Sequence, residues 1–542
     1  MKQAPYLSGW SHLWKMHQQA KDLLLFTATG SAKKPNTEQR AQQQSGPGPS
    51  FTNRQKAGLI LGPALFVFLL LFFHPDGLSE QGIAILASTA WIATWWITEA
   101  IPIPATSLLP LVLFPLTGGL DANLTASSYG DNTIFLFMGG FLIALTMQKW
   151  NLHKRIALFI ITLIGTSTER IIMGFMIATG FLSMWISNTA TAMMMVPIGM
   201  AVIYQVTEQL KKSTGLDPQD KNFGKAIMLG IAYSASIGGL GTLIGTPPNT
   251  LFAAAVNELY GIEISFARWM LFGVPIAAII LVGAWYYLVK IAFPMKLKSL
   301  PGGREVILKE KASLGKMGME EKIILAVFSL TAFAWITRSF LLSNFIPGLN
   351  DTIIAMVAAI ILFIIPSVNH RGTYLLDWDT AKQLPWGILL LFGAGLAIAA
   401  GFQASGLAQW IGQQLTVLNG VRLIFILVIV VTLVIFLTEI TSNTATATMM
   451  FPIMASLAAA INVHPYSLMI GAGLAASCAF MLPVATPPNA VVFGSGYLSI
   501  PDMAKAGFWL NILAILLVTL AIFFYMPLVW GIDLNSFPAQ LK

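Results

Sequence analysis

Residues 511–530, NILAILLVTLAIFFYMPLVW, set twenty uncharged and largely apolar positions in a row. At about 1.5 Å of rise per residue, a helix of that length spans the roughly 30 Å hydrocarbon layer of a bilayer. Backbone groups in hydrocarbon need partners inside the protein, which leaves only helices and closed barrels as spanning structures, and the length is that of a helix. The run at 57–73, AGLILGPALFVFLLLFF, follows 56 polar, basic residues and has no small-residue cleavage site after it, so it reads as a first span and not as a secretory signal. The chain is 56% hydrophobic and 10% charged, far from the roughly 25% charge of soluble domains. The sequence predicts an all-α polytopic membrane protein. About eleven spans are expected, near 57–73, 82–98, 104–120, 133–148, 229–258, 268–293, 322–343, 351–366, 385–402, 466–497 and 507–530, with two re-entrant hairpins at 171–205 and 422–460.

The net charge of +8 invites a nucleic-acid partner, but the basic residues follow the loops and form no patch. With the N-terminus in the cytoplasm, 27 of the 31 Lys and Arg fall on one side, leaving Arg268, Arg338, Arg422 and Lys542. That bias is the positive-inside rule, and it predicts a cell-membrane protein with an extracytoplasmic C-terminus. Segment 10–26 fits an interfacial helix, 27–53 a linker, and the basic, amphipathic loop 295–322 a helix on the anionic inner leaflet. The single cysteine, Cys478, has no disulfide partner, and no Cys or His spacing suits a structural metal. No cofactor is expected.

A second feature divides the chain. SNTATAMMMVPI, Ser187 to Ile198, returns as SNTATATMMFPI, Ser442 to Ile453, with ten of twelve positions identical. FLFMGGFLIAL (135–145) matches LLFGAGLAIAA (390–400) at the same offset, and GTPPN (245–249) recurs as ATPPN (485–489). Five crossings separate the two hairpins, an odd number, so corresponding elements face opposite sides. This predicts an inverted repeat, an architecture of secondary transporters.

Pro lacks an amide hydrogen and the residue before it disfavours the helical region, so TPPN interrupts a helix. Broken backbone at membrane depth is tolerated only inside protein or along a cavity. A lone SNT would serve as helix-packing glue and a lone TPPN as a kink. Their joint recurrence, in order, points to two Ser-Asn-Thr tips, each facing an unwound Thr-Pro-Pro segment. Carbonyl and side-chain oxygens suit Na⁺, while hydroxyls, amides and helix N-termini suit a carboxylate. One central anion site with a cation site on each side follows.

These motifs, with WIATWWITEAIPIPATSLLPLVLFPL (91–116) and the ending LPVATPPNAVVFGSGYLSIPDMAKAGFWLN, resemble the divalent-anion:sodium symporter family, in particular its bacterial sodium-dependent dicarboxylate symporters, over about residues 55–535. The resemblance implies a homodimer, an elevator in which a transport domain moves against a fixed scaffold, and succinate, fumarate and malate as substrates. The implied division is a cytoplasmic tail (1–56), first-half scaffold helices (57–170) and transport elements (171–293), a cytoplasmic amphipathic loop (294–321), then second-half scaffold helices (322–421) and transport elements (422–542). By the same resemblance, Ser183, Ser187, Asn188 and the Gly245 carbonyl form one sodium site, and Thr438, Ser442, Asn443 and the Ala485 carbonyl the other. Substrate carboxylates are expected at Asn188, Thr189, Ser442, Asn443 and Thr444, between walls shaped by Pro247 and Pro487.

Neither motif contains Arg or Lys, so bound Na⁺ must offset the charge of a dianion in a low-dielectric site, which makes Na⁺ the coupling ion. Glu439, three residues before the second SNT, is expected to hydrogen-bond the hairpin; its first-half counterpart is Met184. Glu99 is expected to cap its helix or pair with a base, and His153, His370 and His464 to be solvated in loops. An enzyme is not indicated, since HExxH, GxSxG and P-loop patterns are missing. The alternatives are a sodium-independent exchanger of di- or tricarboxylates and a citrate carrier.

Overall fold

The computed structural model describes residues 51–165, 167–214, 222–294, 303–370, 372–418 and 420–541. The expected interfacial helix at 10–26, the linker up to residue 50 and the loop segment 295–302 lie outside them. Among the described residues the fold is all-helical, with no strand and one isolated bridge, Pro366 to Tyr374.

Helices begin where polar side chains can take up free amides. Thr52 and Gln55 form a capping box before Asn53–Phe72, Ser79 caps Glu80–Thr98, Asp131 caps Asn132–Lys149, Ser265 caps Phe266–Tyr286, and Ser499 with Asp502 caps Ile500–Leu520. Among the described residues six helices are long and apolar enough to cross a membrane: Asn53–Phe72, Ala122–Lys149, Asn188–Glu208, Phe266–Ala292, Trp386–Ala404 and Ile500–Trp530. Glu80–Thr98, Asn222–Gly239 and Met319–Thr337 are as long but less apolar or more charged, and most of the others are shorter. The run expected as one span at 104–120 is two short helices, Ile103–Thr106 and Leu109–Leu116.

Eight helices carry the repeated motifs and are labelled α1 to α8 in chain order. The first half supplies α1 (Thr168–Ser183), α2 (Asn188–Thr214), α3 (Asn222–Gly239) and α4 (Pro247–Tyr260). The second supplies α5 (Leu423–Thr438), α6 (Asn443–Ala460), α7 (Pro465–Ala476) and α8 (Pro487–Gly494). Within each half, α3 packs on α1 and α2, and α7 packs on α5 and α6. Between halves the packing is crosswise: α2 and α3 lie against α8, and α6 and α7 lie against α4. Exchanging the halves maps this pattern onto itself, as a pseudo-twofold axis requires. Close approach depends on glycine, since a Cβ on Gly238 of α3 would overlap Gly180 of α1.

Three expectations change. His153 lies in the helix Leu152–Ile164 and is buried, and His464 is buried as the N-cap of α7, where its ring nitrogen accepts from Tyr466 N. Both fill polar positions at helix ends and neither is solvated. Within the amphipathic loop, the helix Gly303–Ser313 packs against α2 and Leu152–Ile164, with Ile307 buried and Glu310 paired to Lys154 (3.0 Å), so protein covers part of the face expected on lipid.

Candidate functional site

Each tip turn links two helices through one hydroxyl. Ser183 ends α1, and its Oγ lies 2.5 Å from both Asn188 Oδ1 and Ala235 O of α3. The amide of Asn188 also faces Ala235 O at 3.1 Å and Gly245 O at 3.2 Å. With its oxygen turned this way the Asn188 amide faces only acceptors. Turned over, the amide offers its NH₂ to the same three oxygens, so Asn188 can meet the cluster as ligand or as donor.

The second half repeats the arrangement. Thr438 ends α5, and its Oγ1 lies 2.7 Å from Asn443 Oδ1 and 3.0 Å from Ala476 O of α7. One hydroxyl hydrogen serves two acceptors. A surplus of buried acceptors over donors is costly unless a donor or a cation joins them. Ser187 and Ser442 cap the following helices, accepting from Ala190 N (3.2 Å) and Ala445 N (3.5 Å).

The breaks follow from proline. Thr246 (φ −143°, ψ 141°) and Thr486 (φ −140°, ψ 149°) are extended, each before a helix whose first residue is Pro. Asn249 Nδ2 reaches back to Gly239 O (3.0 Å), Leu240 O (3.3 Å) and Thr242 O (2.7 Å); Asn489 Nδ2 reaches Ala479 O (3.2 Å) and Leu482 O (3.0 Å). Both asparagines are fully buried and secure carbonyls that the interrupted helices release. The two breaks also approach one another, Thr246 Oγ1 lying 3.4 Å from Ser477 Oγ.

Ser183, Asn188 and Gly245 therefore converge, as do Thr438 and Asn443. Ala485 is buried and held by its own N–H, which donates to Leu482 O (3.2 Å). Thr189 and Thr444 are half-buried beside the tip asparagines, as is Pro247, whereas Pro487 is exposed. Glu439, expected to hydrogen-bond the hairpin, instead accepts from the 480–482 backbone in the second break and from Asn511. Glu99 ends its helix through a left-handed backbone (φ 49°) whose N–H donates to Trp95 O.

Several partners gave no signal in the sequence. Ala235 and Ala476 take part through carbonyls, which residue type does not reveal. Arg54, at the start of Asn53–Phe72, donates to Ile440 O (3.2 Å) in the second tip turn and to Ile97 O, so a cation from outside the motifs stands against that turn. The side chain of Trp185, in the first tip turn, stacks with Phe266 and Trp335. A cavity of about 110 Å³ lined by Asn132, Thr133, Asn257, Glu263, Asp351 and Thr352 contains none of the predicted site residues.

A family model described as the sodium:sulfate symporter transmembrane region matches residues 53–531. The chain belongs to this family of membrane transporters and is not an enzyme, in line with the resemblance of its motifs. It is 52% identical over 496 residues to a protein of Staphylococcus saprophyticus named sodium-dependent dicarboxylate transporter SdcS, covering 91% of this chain and 95% of that one. The Staphylococcus aureus protein of the same name is 50% identical over 495 residues, with the same coverage. Two solved structures share the fold. YdaH, a transporter of Alcanivorax borkumensis, superposes with a TM-score of 0.54 at 12% identity, covering 83% of this chain and 99% of its own. MtrF of Neisseria gonorrhoeae superposes at 0.52 and 13%, covering 90% and 97%.

Proposed function

We propose that the protein is a sodium-coupled symporter that imports C4-dicarboxylates, with succinate, fumarate and malate as the expected substrates. The observation that carries this reading is the twin arrangement of oxygens around Asn188 and Asn443, built in both halves from a hydroxyl, an asparagine amide and an alanine carbonyl. With the amide oxygen turned toward the hydroxyl and carbonyl oxygens, each presents a set of oxygens suited to a small hard cation. The half-buried Thr189 and Thr444 lie next to these asparagines, at helix N-termini that favour an anion. The names of the staphylococcal relatives, at about half identity over nearly the whole chain, support the same assignment.

In this mechanism Ser183, Ser187, Asn188 and Gly245 hold one Na⁺, and Thr438, Ser442, Asn443 and Ala485 the other. The dicarboxylate then binds between the tips, at Asn188, Thr189, Ser442, Asn443 and Thr444, between Pro247 and Pro487. Two cations balance a divalent anion, so the loaded site crosses with little net charge, whereas a site holding the dianion alone would be strongly disfavoured. About eleven spans with two re-entrant hairpins, arranged as an inverted repeat, would carry α1 to α8 as a transport domain, moving as an elevator within a homodimer in the cell membrane. The N-terminus would be cytoplasmic and the C-terminus outside.

The test is uptake of radiolabelled succinate into proteoliposomes that contain no exchangeable anion. An inward Na⁺ gradient should drive accumulation, and replacing Na⁺ with K⁺ or choline should abolish it. Equal uptake without Na⁺, dependent on an internal anion, would identify an exchanger instead; transport of citrate in place of succinate would identify a citrate carrier.

A further inference from the structure

The two clusters are built alike, but beside the end of the first hairpin helix the second has Glu439 where the first has Met184. Glu439 directly follows Thr438 and is buried. Its Oε1 accepts from Phe480 N (2.8 Å), Met481 N (2.9 Å) and Asn511 Nδ2 (2.7 Å), and its Oε2 accepts from Leu482 N (3.1 Å). These donors occupy the lone pairs that a cation would need, so Glu439 is no cation ligand.

It acts on the break instead. The peptide joining Ala479 to Phe480 is held at both ends, its N–H by Glu439 and its carbonyl by Asn489 Nδ2 (3.2 Å). Leu482 likewise gives its N–H to Glu439, while its carbonyl accepts from Asn489 Nδ2 (3.0 Å) and from Ala485 N (3.2 Å). In the first half, Asn249 makes the matching carbonyl bonds, but position 184 brings no charge: the Met184 carbonyl accepts from the Thr242 hydroxyl. A carboxylate whose two oxygens accept only N–H donors thus stands one residue from Thr438, on a turn whose Ile440 carbonyl also accepts from Arg54, and its counterpart beside Ser183 is the neutral Met184.

Resting on the sodium reading above, we infer that Glu439 is a positioning residue that makes the two cation clusters unequal, so that the second is the tighter and takes up Na⁺ before the first. At an effective dielectric of about 20, a unit charge within roughly 10 Å of a cation shifts its affinity on the order of tenfold.

The experiment isolates each cluster in the purified full-length protein and follows thermal stability against Na⁺ concentration without substrate, since a ligand that binds the folded state stabilises it. Asn188→Ala leaves the second cluster and Asn443→Ala leaves the first. Half-stabilisation should need roughly tenfold less Na⁺ in Asn188→Ala than in Asn443→Ala. Adding Glu439→Gln should raise the requirement about tenfold in the Asn188→Ala protein and leave the Asn443→Ala protein nearly unchanged. A role in folding alone would lower the baseline stability of both without moving either Na⁺ dependence. Equal shifts in both proteins, no shift in either, or a tighter first cluster would each overturn the inference. If the Glu439→Gln proteins do not fold, Asn511→Ala, which removes one donor to the carboxylate, makes the same comparison: movement confined to the Asn188→Ala protein supports the inference, and any other pattern overturns it. Absence of Na⁺ stabilisation in the parent would overturn the sodium reading and this inference with it, a result distinct from equal shifts.

Discussion

Asn188 reaches back across the first tip turn to Ser183, its amide 2.5 Å from the hydroxyl, and Asn443 meets Thr438 across the second at 2.7 Å. Each pair ties the end of one helix to the start of the next and also touches the helix before a break, at Ala235 or Ala476. Removing one member changes the turn, the break and the oxygen cluster together.

Asn188→Ala and Asn443→Ala should therefore weaken both sodium and substrate binding. An unmatched buried polar group costs about 1–3 kcal/mol, so affinities should fall by roughly ten- to a hundredfold. Thr189→Ala and Thr444→Ala should weaken succinate uptake while leaving sodium-induced thermal stabilisation nearly intact. Thermal shift and uptake on the four variants check the division.

Gly245 and Ala485 occupy equivalent places, yet the exchange works in one direction only. A Cβ on Gly245 would lie 2.5 Å from Gly239 O and 3.0 Å from its Cα. Gly245→Ala must displace the first break, and sodium-dependent uptake should fall at least tenfold, while Ala485→Gly should keep most activity, costing only about 1 kcal/mol in backbone freedom. Uptake assays at matched protein levels decide this.

Arg338 is paired with Asp351 (2.6 Å), and both side chains are almost wholly buried; Asp351 also accepts from Phe266 N (2.7 Å). Removing the guanidinium leaves a buried carboxylate without its counter-charge. Arg338→Leu should destabilise the protein by about 3–5 kcal/mol, visible as a lowered melting temperature with and without Na⁺.

Orientation can be checked by labelling. In a Cys478→Ser background, Ser313→Cys should react with an impermeant thiol reagent only from the cytoplasm and Asn535→Cys only from outside; both positions are exposed. Labelling of both from one face would overturn the assigned topology.

The all-helical fold, and the convergence of part of the candidate site, could be read from the sequence, for identifiable reasons. Proline and the residue before it have fixed backbone preferences, so the breaks at Thr246 and Thr486 fall where TPPN placed them. Ser183 meets Asn188, and Thr438 meets Asn443, as the family resemblance implied. Contributions made by backbone stayed hidden: the Ala235 and Ala476 carbonyls, and the amides of 480–482 around Glu439, depend on packing. Long-range contacts stayed hidden as well. Nothing in NRQKAG announces that Arg54 reaches Ile440, and the crosswise packing of α2 on α8 and α6 on α4 depends on how the halves interlock. His153 and His464 were misjudged because a histidine at a helix end reads as a loop residue until the neighbouring helices cover it.

The most direct test of twin cation clusters serving one carboxylate site is a linkage titration on the purified protein. Succinate binding is measured by calorimetry at a series of Na⁺ concentrations, and Na⁺ binding at a series of succinate concentrations. Cooperative tightening of succinate by Na⁺, with a Hill coefficient above one and an equal reciprocal effect of succinate on Na⁺, is the predicted result. Succinate binding of the same strength in choline as in Na⁺ would contradict it.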